Sequence, residues 1–181
     1  MGFAYIAGGV MNNLEWLKYT YRHRRAFEYC VNKLIKDQPL RDEMLRRARV
    51  HDMDKMIMYL MLDQKEAQSI HVNMRVHHLE NDLPKAYEDL VEAVIDYECA
   101  PYTKPDKPFN AYDFTRKLME LGALTDTRGS ELIAIMQELG IDHSEDLTQD
   151  AEGMEYVNGI GDITEEMIRE EILAYINSIS E

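Results

Sequence analysis

NNLEWLKYTYRHRRAFEYCVNKLI, residues 12–35, decides the fold. Leu17, Tyr21, Ala26, Tyr29 and Leu34 recur at helical rather than alternating spacing, and Asn12 and Asn13 are good caps for a helix from about Leu14 to Ile35. Beyond it, Pro39 introduces a second helical stretch, roughly Leu40 to Leu62. Asp63 or Gln64 opens a third that runs to about Leu79. Pro84 begins a fourth, with Tyr87, Leu90, Val91, Val94 and Ile95 on its apolar face. Pro101, Pro105 and Pro108 make Ala100 to Asn110 an extended connection, a lid or a plain loop. Further helices are expected near Ala111 to Leu121 and Ser130 to Leu139, then an acidic loop, then a last helix from about Ile163. Asp162 and Glu165 read as the capping box of that last helix. No β-alternation, internal repeat or low-complexity tract interrupts the series. The expectation is an all-α protein: a helical core over residues 1–110 and an acidic helical extension over residues 111–181 packed on it.

A chain of 181 residues is long enough for one well-buried core. Nothing in it approaches the roughly 18 to 20 consecutive apolar residues of a membrane span. The opening Met1 to Ile6 has neither a basic n-region nor an apolar h-region, and Ile6 stands where a myristoylation signal needs Ser or Thr. A cytoplasmic protein with no membrane partner is expected. Cys30 and Cys99 are too few and too distant for a disulfide framework or a thiolate metal site, and read as packing residues. The net charge of -14 argues against nonspecific nucleic-acid binding. That charge is uneven: residues 1–75 carry +4 and residues 76–181 carry -18. The first half can therefore receive an anion that the rest of the surface repels, while the acidic tail reads as a solvated appendage or a surface for self-association into a homo-oligomer.

Five of the six histidines fall between His23 and His78, beside the adjacent pair His51-Asp52. Imidazole with carboxylate and no thiolate suits a divalent first-row ion, Mn, Fe, Zn, Ni or Co, in an open catalytic centre rather than a closed structural one. On a helix His51 and Asp52 project about 100° apart, so other ligands must arrive from neighbouring helices, and His23 and Asp96 are natural suppliers. His71 and His78 lie on nearly the same helical face but about 10 Å apart along the axis. An unbroken helix could not bring both to one ion, which leaves a second metal or a substrate contact for one of them. His77 and His78 cannot point equally into one site, and His78 is favoured because it shares the His71 face. Asp96, between Ile95 and Tyr97 on an apolar helix, needs a metal or a donor if buried. Arg22, Arg24 and Arg25 around His23 are either phosphate contacts or the wet face of a helix. Asp142 to Asp150 has the look of a calcium loop but lacks its Gly and its bidentate Glu, and His143 is set apart from the cluster.

The ordered series His23, His51-Asp52, His71, His77-His78 and Asp96 resembles the HD superfamily of metal-dependent phosphohydrolases, which runs H…HD…H…H…D. His51-Asp52-Met53-Asp54-Lys55 and His77-His78-Leu79-Glu80 look like the HD-x-x-K and His-His-Glu segments of its HD-GYP branch, although no Gly-Tyr-Pro follows Glu80 and the spacings are shorter. The pattern is more similar to a phage and bacterial HD-like family with H…HD-x-x-K…H-x-x-N-x-H-H-x-E…D-aromatic. Asn73, displaced by one position, and Tyr97 take the remaining places. The resemblance covers roughly residues 14 to 110.

It implies an HD-like helical bundle in which His23, His51, Asp52 and Asp96 bind one metal, while His71, His77 or His78 bind a second ion or contact phosphate. The implied activity is hydrolysis of a nucleotide or related small phosphate ester. Lys55 would neutralise charge on the phosphate or leaving group, and Asp52 or Glu80 would orient the attacking water. Two other functions fit the same residues: a di-iron oxygenase of HD type, and a noncatalytic metal- or nucleotide-binding module.

Overall fold

The computed structural model describes residues 3–79, 81, 83–104 and 106–179, with side chains from residue 13 onward, and it is all-helical. The helices are α1 (Phe3–Leu34), α2 (Gln38–Ala48), α3 (Met53–Met58), α4 (Gln64–Met74), α5 (Tyr87–Cys99), α6 (Ala111–Glu120), α7 (Asp126–Leu139), α8 (Ala151–Asn158) and α9 (Glu165–Ser178), with 3-10 turns at Ala100–Tyr102 and Leu147–Gln149. Among the described residues there is no strand, and no helix is long and apolar enough to cross a membrane.

Capping explains most of the boundaries. Asp37 accepts from the Leu40 amide, Asp63 from Glu66, Asn110 from Asp113 and Thr125 from Arg128, so four helices start on a side-chain oxygen that satisfies an orphaned N–H. The cap of α9 is Thr164, accepting from Met167, rather than the Asp162 box expected from sequence. Gly140, at φ 75°, closes α7 in the left-handed conformation a helix end favours.

Four other expectations are corrected. Helix α1 begins at Phe3, so Asn12 and Asn13 lie within it rather than capping it. The stretch from Leu40 to Leu62 is two helices, broken at residues 49–52. The third helix stops at Met74, short of Leu79, where Asn81 caps the departing chain by donating to the Val72 and Arg75 carbonyls at 2.6 and 2.7 Å. The acidic loop after α7 contains α8, whose N-cap is Asp150.

Helix α5 is the spine. Leu90, Val91, Ala93, Val94, Ile95 and Cys99 are buried around almost its whole circumference, as a helix enclosed by others requires. It packs against α1, α2, α6 and α7. The main core joins Phe27, Val31 and Met44 to Leu132, Met136, Leu147 and Val157, so it is built from both halves of the chain. A second cluster under α3 gathers Leu17, Met53, Met56, Tyr59, Ala67, Ile163, Ile168 and Ile172, placing the carboxy-terminal helix beneath the His51-Asp52 turn.

Candidate metal centre

The break between α2 and α3 presents His51 and Asp52 together. The His51 amide still donates to the Arg47 carbonyl at 2.8 Å, and then Asp52 turns left-handed at φ 58°. A continuous helix would have splayed the two side chains; the reversal lets both face α1 and α5. From α1, His23 Nε2 lies 2.7 Å from Asp96 Oδ1 and 3.9 Å from Asp52 Oδ2. His51 Nε2 lies 3.4 Å from Asp96 Oδ1 and 3.9 Å from Asp52 Oδ1. The expected foursome His23, His51, Asp52 and Asp96 therefore converges.

The early end of α4 does the same for the other histidines. Because the helix stops before His77, the chain folds back, and ligating atoms of His71, His77 and His78 all lie within 4.8 Å of one another. The separation of about 10 Å expected for an unbroken helix does not arise. His77 and His78 both join this group, contrary to the expectation that only one can face it. His77 is buried and also falls within the same reach of His51 and Asp96, while His78 is half-buried. The two groups meet at Asp52: His71 Nε2 lies 3.1 Å from its Oδ1.

Two carboxylates that sequence reasoning overlooked fix the imidazoles from behind. Glu92 Oε1 is 3.2 Å from the Nδ1 of both His51 and His77, and its Oε2 accepts from Arg47 at 2.8 Å. Asp54 Oδ2 is 2.8 Å from His71 Nδ1 and accepts from Arg75 at 2.9 Å. A carboxylate beside each Nδ1 fixes the ring so that Nε2 faces the centre, the nitrogen a metal would take once its proton is displaced. Glu92 was hidden in the apolar pattern of α5; its position four residues before Asp96 was the available signal.

The fit to a metal rests on what these atoms lack. His51 Nε2, His71 Nε2, His77 Nε2 and Asp52 Oδ1 are buried without a hydrogen-bond partner. Leaving one such group unsatisfied costs about 1–3 kcal/mol, and a divalent cation is a partner that imidazole nitrogen and carboxylate oxygen can both take. Burial opposes charge on His51, but Asp52, Asp96 and Glu92 outweigh it and push its pKa up to about 10. Burial alone would raise Asp52 and Asp96. Lys55 and the neighbouring histidines instead hold Asp52 well below the usual carboxylate range, and His23 and His51 do the same for Asp96. The cluster is thus a concentration of anionic oxygen with imidazole protons standing where a cation would sit.

Lys55 Nζ lies 2.7 Å from Asp52 Oδ2 and is itself mostly buried. Glu80, the other expected acid–base residue, lies outside the described residues. Cys99, buried, has its Sγ 3.7 Å from His23 Nδ1, a softer backing than the carboxylates behind the other rings. Cys30 is buried in the main core. His143 is distant in role: its carbonyl accepts from Asn110. Arg22, Arg24 and Arg25 donate to Gly161, Glu171 and Tyr156 in the carboxy-terminal segment, and none of the three lines the cavity over the centre.

A cavity of about 520 Å³ opens over the centre. His23, His78 and Asp96 lie on its inner side with Lys55. Trp16, Tyr19, Tyr97 and Phe109 supply aromatic walls, and Lys104 and Lys107 come from the proline-rich connection. That connection is thus one wall of the cavity. No family model, curated protein or solved structure matches the chain, so its chemistry rests on this geometry.

Proposed function

We propose that the protein is a metal-dependent phosphohydrolase acting on a nucleotide or a related small phosphate ester. The observation that carries the reading is the meeting of two histidine groups at Asp52, beside a cavity bearing three lysines. His23, His51, Asp52 and Asp96 would hold one ion, and His71, His77 and His78 a second. A metal bound there supplies Lewis acidity toward a phosphoryl oxygen and a water acidified toward neutrality.

The chain's own groups account for the remaining requirements. Lys55, held beside Asp52, offsets negative charge on a bound phosphate. Glu92 and Asp54 hold three imidazoles in one tautomer and orientation. Lys104 and Lys107 extend positive charge to the rim, where the rest of the surface is strongly acidic, and the aromatic walls suit a planar base. A cavity of several hundred Å³ is in the range of small-molecule sites. The pairing of two ligand groups through one aspartate also suits an oxygenase with two irons. Bound iron with an oxygen-dependent absorption change would favour that reading over hydrolysis.

The test is elemental analysis of protein purified without chelator, for wild type, His51→Ala and Asp96→Ala, followed by assay of the metal-loaded forms against nucleotides and an aryl phosphate. Metal and turnover lost together in both variants is the expected result. Metal bound with no hydrolysis of any phosphate ester would remove the phosphohydrolase reading.

A further inference from the structure

Arg24 follows His23 directly, and it is only 8% exposed. Its two terminal nitrogens work in different directions. Nη1 donates to Glu171 Oε1 on α9 at 2.6 Å, while Nη2 donates to the Arg49 carbonyl at 2.9 Å and reaches the Ala48 carbonyl at 3.5 Å. Those carbonyls end α2, where a helix leaves its last C=O groups without internal partners and where a cation is favourable. One residue further on come His51, which faces the cluster, and the left-handed Asp52. Arg24 thus takes carbonyls at the end of α2, directly ahead of the point where Asp52 reverses.

The same guanidinium rests on Met53 and Met56 of α3, and those methionines pack with Ile163, Ile168 and Ile172 of the carboxy-terminal segment. Two independent connections, one ionic and one apolar, thus run from α9 to the two helices that flank the His51-Asp52 turn. A lysine could not replace the fork, because one nitrogen would have to serve a carboxylate and two carbonyls lying in different directions.

We infer that Arg24 is a positioning residue of the metal centre and that Glu171 anchors it, so that the carboxy-terminal helix sets how tightly the ions are held. The inference rests on the reading of the histidine cluster as a metal centre but not on the reaction performed there. The acidic extension thereby gains a definite role, because α9 holds the brace that shapes the turn carrying two ligands. Arg24 need not touch metal or substrate to do this.

The experiment is a zinc titration of the full chain against a competing chromophoric chelator, for wild type, Arg24→Met, Arg24→Lys and Glu171→Gln, with helicity and Tm followed in parallel. Groups that orient a metal ligand typically change affinity by about 10- to 100-fold, and Arg24→Met is expected to weaken zinc within that range. Arg24→Lys should recover part of the loss, and Glu171→Gln should move in the same direction by a smaller factor. Affinities for Arg24→Met and Glu171→Gln within about twofold of wild type would overturn the inference even if Tm fell, since a purely structural brace would lower only Tm. Should Arg24→Met not fold, the half-exposed Glu171→Gln decides by the same criterion. Wild type that binds no zinc sinks the metal centre and this inference together. Zinc binding that weakens in the variants, with no phosphate ester hydrolysed, supports the inference and removes only the proposed reaction.

Discussion

Asp52 and Asp150 are two largely buried carboxylates each gripped by a lysine, at 2.7 Å from Lys55 and 2.8 Å from Lys33. Asp150 is saturated. It accepts from the Tyr29 hydroxyl at 3.0 Å, the Tyr102 hydroxyl at 2.7 Å and the Gly153 amide at 3.2 Å, capping α8 and tying it to α1. Asp52 Oδ1 instead has only imidazole nitrogens around it, His71 Nε2 at 3.1 Å and His51 Nε2 at 3.9 Å, and the His51 and His77 Nε2 atoms are buried without a hydrogen-bond partner. A satisfied polar cluster has finished its work when the chain has folded, whereas an unsatisfied one is poised for something the chain does not contain. The difference separates structure from site more sharply than burial or charge.

The largest test of that contrast removes Asp52 itself. Asp52→Ala should weaken metal binding beyond the roughly 10- to 100-fold expected for groups that only orient a ligand, as read by elemental analysis and chelator competition. Retained stoichiometric metal would break the comparison. Next, metal stripping should lower Tm. At ion concentrations about 100 times Kd the bound form gains about 2.7 kcal/mol, equivalent to about 5 to 10 °C for a chain of this size, visible in a thermal melt with and without chelator. Glu92→Leu then asks whether one carboxylate serves both groups of histidines. Zinc affinity should drop by about 10- to 100-fold with the fold retained, and a loss confined to one ion would mean that His51 and His77 are oriented separately.

Asp150→Asn should do the reverse: stability falls by about 1–2 kcal/mol with metal content unchanged. Burial raises the pKa of Asp150, but Lys33, Tyr102, the Gly153 amide and Tyr29 together bring it down to about 2. A depressed folded pKa means that its contribution is complete above the unfolded value near 4 and fades as pH falls toward about 2. The Asn variant should show a flatter stability profile across that window in urea melts. Tyr102→Phe, which removes one of the four donors, is the smallest step, at about 1 kcal/mol by the same melts, again without effect on metal.

Sequence showed the all-helical character and the candidate ligands because both depend on local pattern. The caps Asp63 and Asn110 sit before periodic apolar runs, and the histidines keep an order that can be read along the chain. The breaks were not legible. Residues 49–52 contain neither Gly nor Pro, and the carbonyls that end α2 are taken by Arg24, on another helix. The stop at Met74 depends on Asn81 reaching back to two carbonyls. Glu92 resembled any polar residue on a helix until α2 and the turn after it brought Arg47 and His51 against it. The three arginines near His23 looked equally ready for phosphate or water; each has a partner more than a hundred residues on, two of them carbonyls and one a carboxylate. In each case the deciding contact is tertiary, which local pattern cannot encode.

Asp52 stands at φ 58°, and among the described residues it is the only one other than glycine with positive φ. Left-handed backbone costs most side chains about 1–2 kcal/mol and is tolerated chiefly by Gly, Asn and Asp. Of these three, only aspartate brings a carboxylate to the point where both histidine groups meet. Backbone and chemistry thus narrow the position to one amino acid, with no gradual series of substitutes leading away from it. A substitution at Asp52 therefore gives up the carboxylate, the backbone reversal, or both at once.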